Sequence, residues 1–407
     1  MSTSSDNAAP PASLPWHRRG VGRARNIKSL RALAERRLPR AIFDFVDGGA
    51  EDEVTLRENS SSYGKYRLLP RVLVDVSSTD LKTNILGRES ALPFAIGPTG
   101  GAGFVWPRGD LALAKTAEAA NIPYALSTTS AVSIEHMRER VSSRLWFQSY
   151  IFRQRDFTDK LIDRAYAADY EALVITVDLP VGGNRERDYR NDFAVPFKFT
   201  PRNVLDFALH PEWVYTTLRH GLPSFGNLTN FSPSKDVNAA ASSVGRNYDS
   251  SFNWDDLARI RDRWSRKLIV KGVVHPLDAE RLVGMGVDAM VVSNHGGRQL
   301  DSGPATIDAL PQIVATVNKR AEVFVDGGVR RGSDVFKALA LGADAVLLGR
   351  ASLFGLAGAG PAGVERAVSI LREELVRTMK LCGVTNIAEI DRQFLVSTSP
   401  FCLNANE

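Results

Sequence analysis

The sequence contains few cysteines and few histidines for its length. Only two of its 407 residues are cysteine and six are histidine. Two cysteines cannot form a disulfide framework, and no cluster of cysteine and histidine has the spacing of metal ligands. The sequence therefore indicates neither a disulfide-stabilised secreted fold nor a metal centre.

Long apolar runs and a large excess of one charge are also missing. No segment reaches the roughly 18 apolar residues that a membrane-spanning helix needs, and the N-terminus lacks the apolar stretch of a signal peptide. Lysine and arginine number 51 against 46 aspartate and glutamate, which gives a net charge of +5. This small excess does not suggest a nucleic-acid partner. We therefore expect a soluble protein of the cytoplasm that binds no nucleic acid.

Short apolar runs alternate with helical stretches along most of the chain. Continuous apolar runs are typical of parallel strands buried on both faces, and the helical stretches supply the crossovers. Eight such units predict a closed (β/α)8 TIM barrel, with a doubly wound open sheet as the alternative. The predicted strands are 92–98, 122–128, 145–151, 172–178, 267–273, 289–295, 323–328 and 345–350.

The barrel pattern also divides the chain. We interpret residues 1–25 as a disordered basic tail, 26–395 as one barrel domain and 396–407 as a C-terminal tail. Strands 4 and 5 are separated by a long insertion, 179–266, which is far longer than the other connections. Such an excursion inside a compact domain is usually functional or partly disordered.

Polar residues and glycines lie at or just after the C-terminal end of each predicted strand. That end of a barrel is where active sites are built. This placement predicts one site there, made from Thr99, Ser127, Gln148, Tyr150, Thr176, Asp178, Lys271, Ser293, His295, Asp326, Gly328, Arg330, Gly349 and Arg350.

Two parts of this set carry specific chemistry. The loops after strands 7 and 8 read DGGVRRGSD and GRAS. Barrels commonly hold phosphate there, with glycine backbones close to the anion and arginines such as Arg330 and Arg350 binding it.

His295 lies in SNHGGRQLD, three residues before Arg298. A base beside a fixed cation suits an acid substrate.

These motifs resemble those of the FMN-dependent 2-hydroxy acid dehydrogenases and oxidases. SNHGGRQLD is similar to the active-site motif of that family, and DGGVRRGSDVFKALALGADAVLLGR to its phosphate-binding end. The resemblance covers roughly residues 25–395. It implies oxidation of an (S)-2-hydroxy acid, mandelate-like or lactate-like, to the 2-oxo acid on FMN. Electrons would pass to a quinone-type acceptor or O2, and the protein would be a homotetramer.

The resemblance also implies roles for individual residues. His295 would take a proton from the substrate hydroxyl or Cα, Asp178 would stabilise the imidazolium, and Tyr150 would hydrogen-bond the hydroxyl or the developing oxo group. Arg298 would hold the carboxylate, with Arg185 as a second cation.

The same comparison implies the residues that bind the cofactor. Lys271 would lie by flavin N1 and O2, where a positive charge stabilises the reduced flavin. The others would be Pro98, Thr99 and Gly100 by backbone against the ring, Ser127, Gln148, Thr176, Ser293 and Asp326 as polar neighbours, and Gly328, Arg330, Gly349 and Arg350 at the phosphate.

Two positions in the expected substrate pocket bear on specificity. Phe45 replaces the tyrosine that the family usually has, so one hydrogen bond to the carboxylate is lost. Gly100 replaces an alanine found in many relatives that use small substrates, and we expect the missing methyl to leave room for a bulkier group at C2.

The insertion raises a separate hypothesis. Residues 194–231 combine aromatic and basic side chains and contain few acidic ones, as at the interface of an anionic membrane. The alternative is an ordered lid on the barrel mouth or a subunit contact. The aromatic and basic residues are Phe197, Phe199, Phe207, Trp213, Tyr215, Phe225, Lys198, Arg202 and Arg219.

Two other functions fit parts of the sequence. Phe45 is compatible with a catalytically altered flavin-binding protein attached to a membrane. An FMN-dependent isomerase would share the fold and cofactor, but it would not need His295 paired with Arg298.

Overall fold

The chain forms a closed barrel of eight parallel strands. The computed structural model describes residues 20–193, 200–221, 225–228 and 247–397. Each barrel strand pairs with the next along the chain, and Val346 on the last strand pairs with Phe94 on the first. The predicted (β/α)8 barrel is confirmed, and the open sheet is wrong. The strands are β1 Phe94–Ile96, β2 Tyr124–Ser127, β3 Leu145–Ser149, β4 Ala172–Thr176, β5 Lys267–Val273, β6 Ala289–Val292, β7 Glu322–Val325 and β8 Ala345–Leu348.

Helices surround the barrel, and two short antiparallel strand pairs lie outside it. Tyr66–Leu68 pairs with Leu395–Ser397, and Thr83–Ile85 pairs with Arg88–Ser90. The helices are α1 Ile27–Arg37, α2 Arg40–Asp47, α3 Val54–Ser61, α4 Ala102–Val105, α5 Gly109–Ala119, α6 Ile134–Arg140, α7 Arg155–Ala167, α8 Glu186–Arg190, α9 Pro201–Ala208, α10 Pro211–His220, α11 Trp254–Arg263, α12 Pro276–Gly284, α13 Thr306–Val317, α14 Gly332–Ala340, α15 Arg350–Ala359 and α16 Pro361–Cys382.

The N-terminal end of the barrel is filled by side chains. Trp146 and Phe324 stack with ring centroids 5.9 Å apart, and the smaller Ala95 packs in the same cluster. Leu86, in the turn of the Thr83–Ser90 hairpin, belongs to this cluster, and its N–H donates to the Glu322 carboxylate at 2.9 Å. Because this end is plugged, the opposite end is left for a site.

Two predicted domain boundaries and the position of one residue within its strand differ from the structure. Val21 and Ala24 are buried, so the packed chain begins before residue 26. The C-terminal strand Leu395–Ser397 extends the domain beyond 395. Lys271, expected at the end of strand 5, lies inside β5, because the strand continues past a bulge to Val273. The segments 1–19 and 398–407 lie outside the described residues.

Candidate active site

A cavity opens at the C-terminal end of the barrel. Its lining mixes charged, polar and apolar side chains, as ligand sites do. Most of the residues predicted from the sequence line it, namely Phe45, Pro98, Thr99, Gly100, Gln148, Tyr150, Thr176, Lys271, His295, Arg298, Asp326, Gly328, Arg330, Gly349 and Arg350. Four others do not line this cavity, namely Ser127, Asp178, Arg185 and Ser293.

His295 and Asp178 form the acid–base pair of the site. The His295 Nδ1 lies 2.9 Å from an Asp178 carboxylate oxygen. A carboxylate can only accept, so Nδ1–H donates and Nε2 is left for the cavity. Burial acts to raise the pKa of Asp178, but the charges of His295 and Lys271 outweigh it and hold that pKa below its ordinary value. Asp178 therefore stays anionic and stabilises an imidazolium.

The backbone around this pair is unusual in two places. His295 has a φ of +56°, a left-handed conformation that few non-glycine residues adopt. Gly272 has a φ of +110°, and a Cβ there would lie 2.7 Å from the Asp178 Cβ. Only glycine lets β5 approach Asp178 so closely.

Lys271 places a fixed positive charge at the centre of the cavity floor. Its ammonium donates to Ser293 Oγ at 2.7 Å and lies 3.1 Å from Asp326 Oδ2. Burial acts to lower the pKa of Lys271, but Asp326 and Asp178 outweigh it and raise the pKa. The group therefore stays charged throughout the neutral pH range.

A row of hydrogen bonds crosses three neighbouring strands beside Lys271. Ser127 Oγ donates to Gln148 Oε1 at 3.1 Å, and Gln148 Nε2 donates to Thr176 Oγ1 at 3.0 Å. Thr99 Oγ1 and Asp326 Oδ1 are buried without a hydrogen-bond partner. Buried polar atoms of this kind indicate a polar ligand that would complete their hydrogen bonding.

Arg350 and Arg330 both line the cavity, and Arg298 lies near them. Arg350 donates to the backbone oxygens of Val46, Gly48 and Gly296, which fixes its guanidinium. Burial lowers the pKa of Arg350 to about 9, and repulsion by Arg298 and Arg330 adds to this. Buried cations that lower one another's pKa are stabilised when an anion binds between them, and a phosphate group is such an anion.

The substrate end combines cations with one phenol. Arg298 Nη1 donates to the backbone oxygens of Phe45 at 2.7 Å and Gly48 at 3.0 Å, which orients the guanidinium. Burial, with repulsion from Arg185, lowers the pKa of Arg298 to about 10, so it is cationic at neutral pH. The Tyr150 ring stacks 6.3 Å from His295, and burial raises its pKa, so its hydroxyl remains a donor.

Phe45 belongs to an aromatic wall. It stacks on Phe193 at 4.6 Å and meets Phe104 edge-on at 6.2 Å. The guanidinium carbons of Arg298 and Arg185 lie 5.2 and 5.7 Å from its ring centroid. The position that usually carries a phenol thus supplies an apolar surface and two cation–π contacts.

Gly100 differs from its predicted role. A methyl at this position would clash with the Thr129 hydroxyl and would lie 3.6 Å from Ser127 Oγ. The missing methyl therefore does not open free space for a larger substrate, because Thr129 already fills it.

Sequence reasoning missed several residues next to the site. Asp188 is buried and lies 3.2 Å from the Arg185 Nε, and burial raises its pKa. Phe104 and Phe193 form the aromatic wall, and Tyr248 packs on Tyr150. Phe104 lies on α4 after β1, Asp188 and Phe193 lie early in the insertion, and Tyr248 follows its described helices. Their contacts with the site depend on how these segments fold onto the barrel.

Comparison with known proteins identifies the family. The model of the FMN-dependent dehydrogenase family matches residues 34–397. The chain belongs to this family. Membership implies FMN as the cofactor, and the residues present fit it: a buried ammonium for the ring, unpartnered polar atoms beside it and the arginines Arg330 and Arg350 for the phosphate.

Similar proteins have related activities. (S)-Mandelate dehydrogenase from Pseudomonas putida is 42% identical over 370 residues, covering 91% of this chain and 93% of the relative. L-lactate dehydrogenase from Vibrio cholerae is 40% identical over 90% of this chain and 97% of its own length. L-lactate oxidase from Nostoc is 41% identical over 91% of this chain and 97% of its own.

Solved structures agree with these relatives. The crystal structure of the monotopic membrane protein (S)-mandelate dehydrogenase matches with a TM-score of 0.88 and 41% identity. The match covers 92% of this chain and all of the other. A mandelate oxidase structure with (S)-2-phenylpropionate matches with a TM-score of 0.78 and 34% identity, covering 92% and 98%.

Proposed function

We propose that this protein uses FMN to oxidise an (S)-2-hydroxy acid to the 2-oxo acid. The observation that carries the proposal is the pairing of His295 with Asp178 beside the oriented Arg298, in a cavity that also holds Arg330 and Arg350. His295 and Arg298 suit the hydroxyl and carboxylate of a substrate, and Arg330 and Arg350 suit the cofactor phosphate.

The residues of the substrate end have complementary tasks. Arg298 binds the carboxylate, with Arg185 as the second cation nearby. His295 Nε2 takes a proton from the substrate hydroxyl or Cα, and Asp178 stabilises the imidazolium that results. Tyr150 donates to the hydroxyl or the developing oxo group. The substrate loses two electrons and two protons in total.

The residues of the cofactor end hold and tune FMN, which accepts the two electrons when bound. Lys271 stabilises the negative charge of the reduced ring. Pro98, Thr99 and Gly100 approach the ring by backbone. Polar neighbours and phosphate ligands complete the set, namely Ser127, Gln148, Thr176, Ser293, Asp326, Gly328, Arg330, Gly349 and Arg350.

Two alternatives make different predictions. A catalytically altered flavin protein would not be reduced by any 2-hydroxy acid, and an isomerase would turn over without net oxidation. The intact set of His295, Asp178, Arg298 and Lys271 favours oxidation. Anaerobic addition of a 2-hydroxy acid should bleach the yellow flavin, and absence of bleaching with every acid tested would contradict the proposal.

We expect an aromatic or long-chain 2-hydroxy acid to be preferred over glycolate. Phe45 lines the cavity, with Phe104 and Phe193 packed against it, and burying even part of a phenyl group on this ring should raise kcat/KM by roughly 10-fold or more. The measurement is kcat/KM for (S)-mandelate, (S)-lactate and glycolate with a quinone-like dye and with O2. A higher kcat/KM for glycolate would contradict the expected preference. Faster turnover with the dye would indicate a dehydrogenase, and faster turnover with O2 an oxidase.

The insertion has an inner and an outer face. Trp213 Nε1 donates to the Phe104 backbone oxygen at 2.8 Å, Phe207 stacks on Trp213 at 5.4 Å, and Phe225 meets Phe104 at 6.1 Å. These three aromatics were expected at a membrane, but they dock the segment on the barrel, as the lid alternative expects. Phe197, Phe199 and Lys198 lie outside the described residues.

The outer face of this segment is apolar. Leu205, Leu209 and Leu218 are 64%, 71% and 79% exposed, with Tyr215 beside them at 62%. None of the described helices is long and apolar enough to cross a membrane. We propose that this face rests on an anionic membrane, peripherally on its cytoplasmic side, and brings the enzyme to a membrane quinone. Assembly as a homotetramer stays a prediction.

Replacing Leu205, Leu209 and Leu218 together with serine should reduce binding to anionic liposomes by about 100-fold or more, because each buried leucine contributes about 1.5–3 kcal/mol. Co-sedimentation at low salt measures this. The matched control replaces the exposed leucines Leu277, Leu300 and Leu381, which lie elsewhere on the chain, and should bind like the wild type. Equal binding by both triple variants, or no binding by the wild type, would contradict the membrane proposal.

A further inference from the structure

Tyr248 follows the insertion and is held beside the active site by its backbone. It forms an antiparallel bridge with Phe152, and the Asp249 N–H donates to the Ile151 backbone oxygen at 3.0 Å. These residues immediately follow Tyr150 at the end of β3. The main chain therefore sets the position of Tyr248 next to Tyr150.

The Tyr248 side chain packs against Tyr150, which lines the cavity. Its ring lies 5.3 Å from the Tyr150 ring, which itself stacks on His295, and it also stacks on Phe152 at 6.0 Å. Among the described residues, its hydroxyl has no hydrogen-bond partner. Burial raises the pKa of Tyr248, so the phenol stays protonated and can donate.

Tyr248 and Phe45 share a neighbour. The Arg185 guanidinium carbon lies 5.7 Å from the Phe45 ring centroid, and the same charge acts on the Tyr248 phenol. Phe45 brings no hydroxyl to this cationic region. A phenol at Tyr248 can provide one from a different element, while Phe45 remains part of the aromatic wall.

We infer that Tyr248 is a substrate-binding residue whose hydroxyl donates a hydrogen bond to the 2-hydroxy acid beside Arg185, in place of the phenol that Phe45 lacks. The inference rests on the proposed function and adds a specificity determinant to it. The hydrogen bond reaches an anionic ligand, so its loss is expected to weaken binding by about 10- to 100-fold.

The test compares Tyr248→Phe with the wild type and with Tyr166→Phe, a control phenol on the outer helix α7 that bonds Ser265. Holoenzyme is titrated anaerobically with the 2-oxo acid product, and binding is followed by the change in flavin absorbance. KM and kcat are measured for the best 2-hydroxy acid. We expect Tyr248→Phe to raise Kd and KM by about 10- to 100-fold, with FMN content and Tm unchanged. Tyr166→Phe should bind as the wild type does.

A second variant separates the hydroxyl from the ring. Adding Phe45→Tyr to Tyr248→Phe should recover most of the lost affinity. Wild-type affinity in Tyr248→Phe, a lowered Tm in that variant or no recovery in the double variant would overturn the inference. A wild type that no 2-hydroxy acid reduces would instead contradict the proposed function.

Discussion

Replacing His295 with glutamine is expected to leave FMN bound but to slow its reduction by substrate by roughly 10²- to 10⁴-fold. Glutamine keeps a polar group of similar size but cannot take the substrate proton. The Asp178 carboxylate would also lose the imidazolium that offsets its burial. Stopped-flow absorbance of the flavin under anaerobic conditions measures the rate at saturating substrate.

A control histidine separates catalysis from folding. His136 lies on the outer helix α6, away from the cavity. His136→Gln should reduce at the wild-type rate, and both variants should contain one FMN per chain. A His295→Gln variant that is reduced as fast as the wild type would eliminate His295 as the base.

Replacing Lys271 with methionine should make the flavin harder to reduce. Methionine keeps much of the length of the side chain but removes the charge that stabilises the reduced ring. A loss of about 1.5–3 kcal/mol corresponds to a potential lower by roughly 30–60 mV for a two-electron couple. The sulfite adduct of the flavin should weaken by about 10- to 100-fold for the same reason. Redox titration and sulfite titration measure the two effects.

The control for this variant lies on the same strand. Lys267, at the start of β5, pairs with Asp288 at 2.9 Å at the opposite end of the barrel. Lys267→Met should leave the potential and the sulfite affinity unchanged. If Lys271→Met also leaves both unchanged, Lys271 does not lie beside the flavin.

Much of this site could be predicted because its residues follow a repeated pattern. The strands alternate with helices, so the ends of the strands place Gln148, Thr176 and His295 around one opening. Asp178 was expected beside His295 and lies 2.9 Å from it. These positions depend on the barrel itself, which the apolar runs specify.

Other features depend on local backbone geometry, which cannot be predicted from the alternation of apolar runs and helical stretches. Lys271 was placed at the end of a strand, but the bulge at Gly272 continues β5 and turns the chain toward Asp178. Gly100 was expected to open space, but Thr129 fills the position of its missing methyl.

The insertion was the least predictable part. From composition alone, its aromatic residues were all expected at a membrane. In the structure, Phe207 and Trp213 pack inward, whereas Tyr215 and its leucine neighbours are exposed. Tyr248 depends on the return of the chain to β3 after this insertion, and no sequence motif marks such a contact.

The most direct test of the proposed oxidation is an anaerobic titration of the holoenzyme with each enantiomer of mandelate. The two-electron chemistry predicts that (S)-mandelate bleaches the flavin and that one 2-oxo acid forms for each FMN reduced. The (R)-enantiomer should bind without bleaching, because its hydroxyl and its C2 hydrogen exchange places while Arg298 holds its carboxylate, so the proton that His295 takes is out of reach. Equal bleaching by both enantiomers, or bleaching without formation of the 2-oxo acid, would contradict the proposed function.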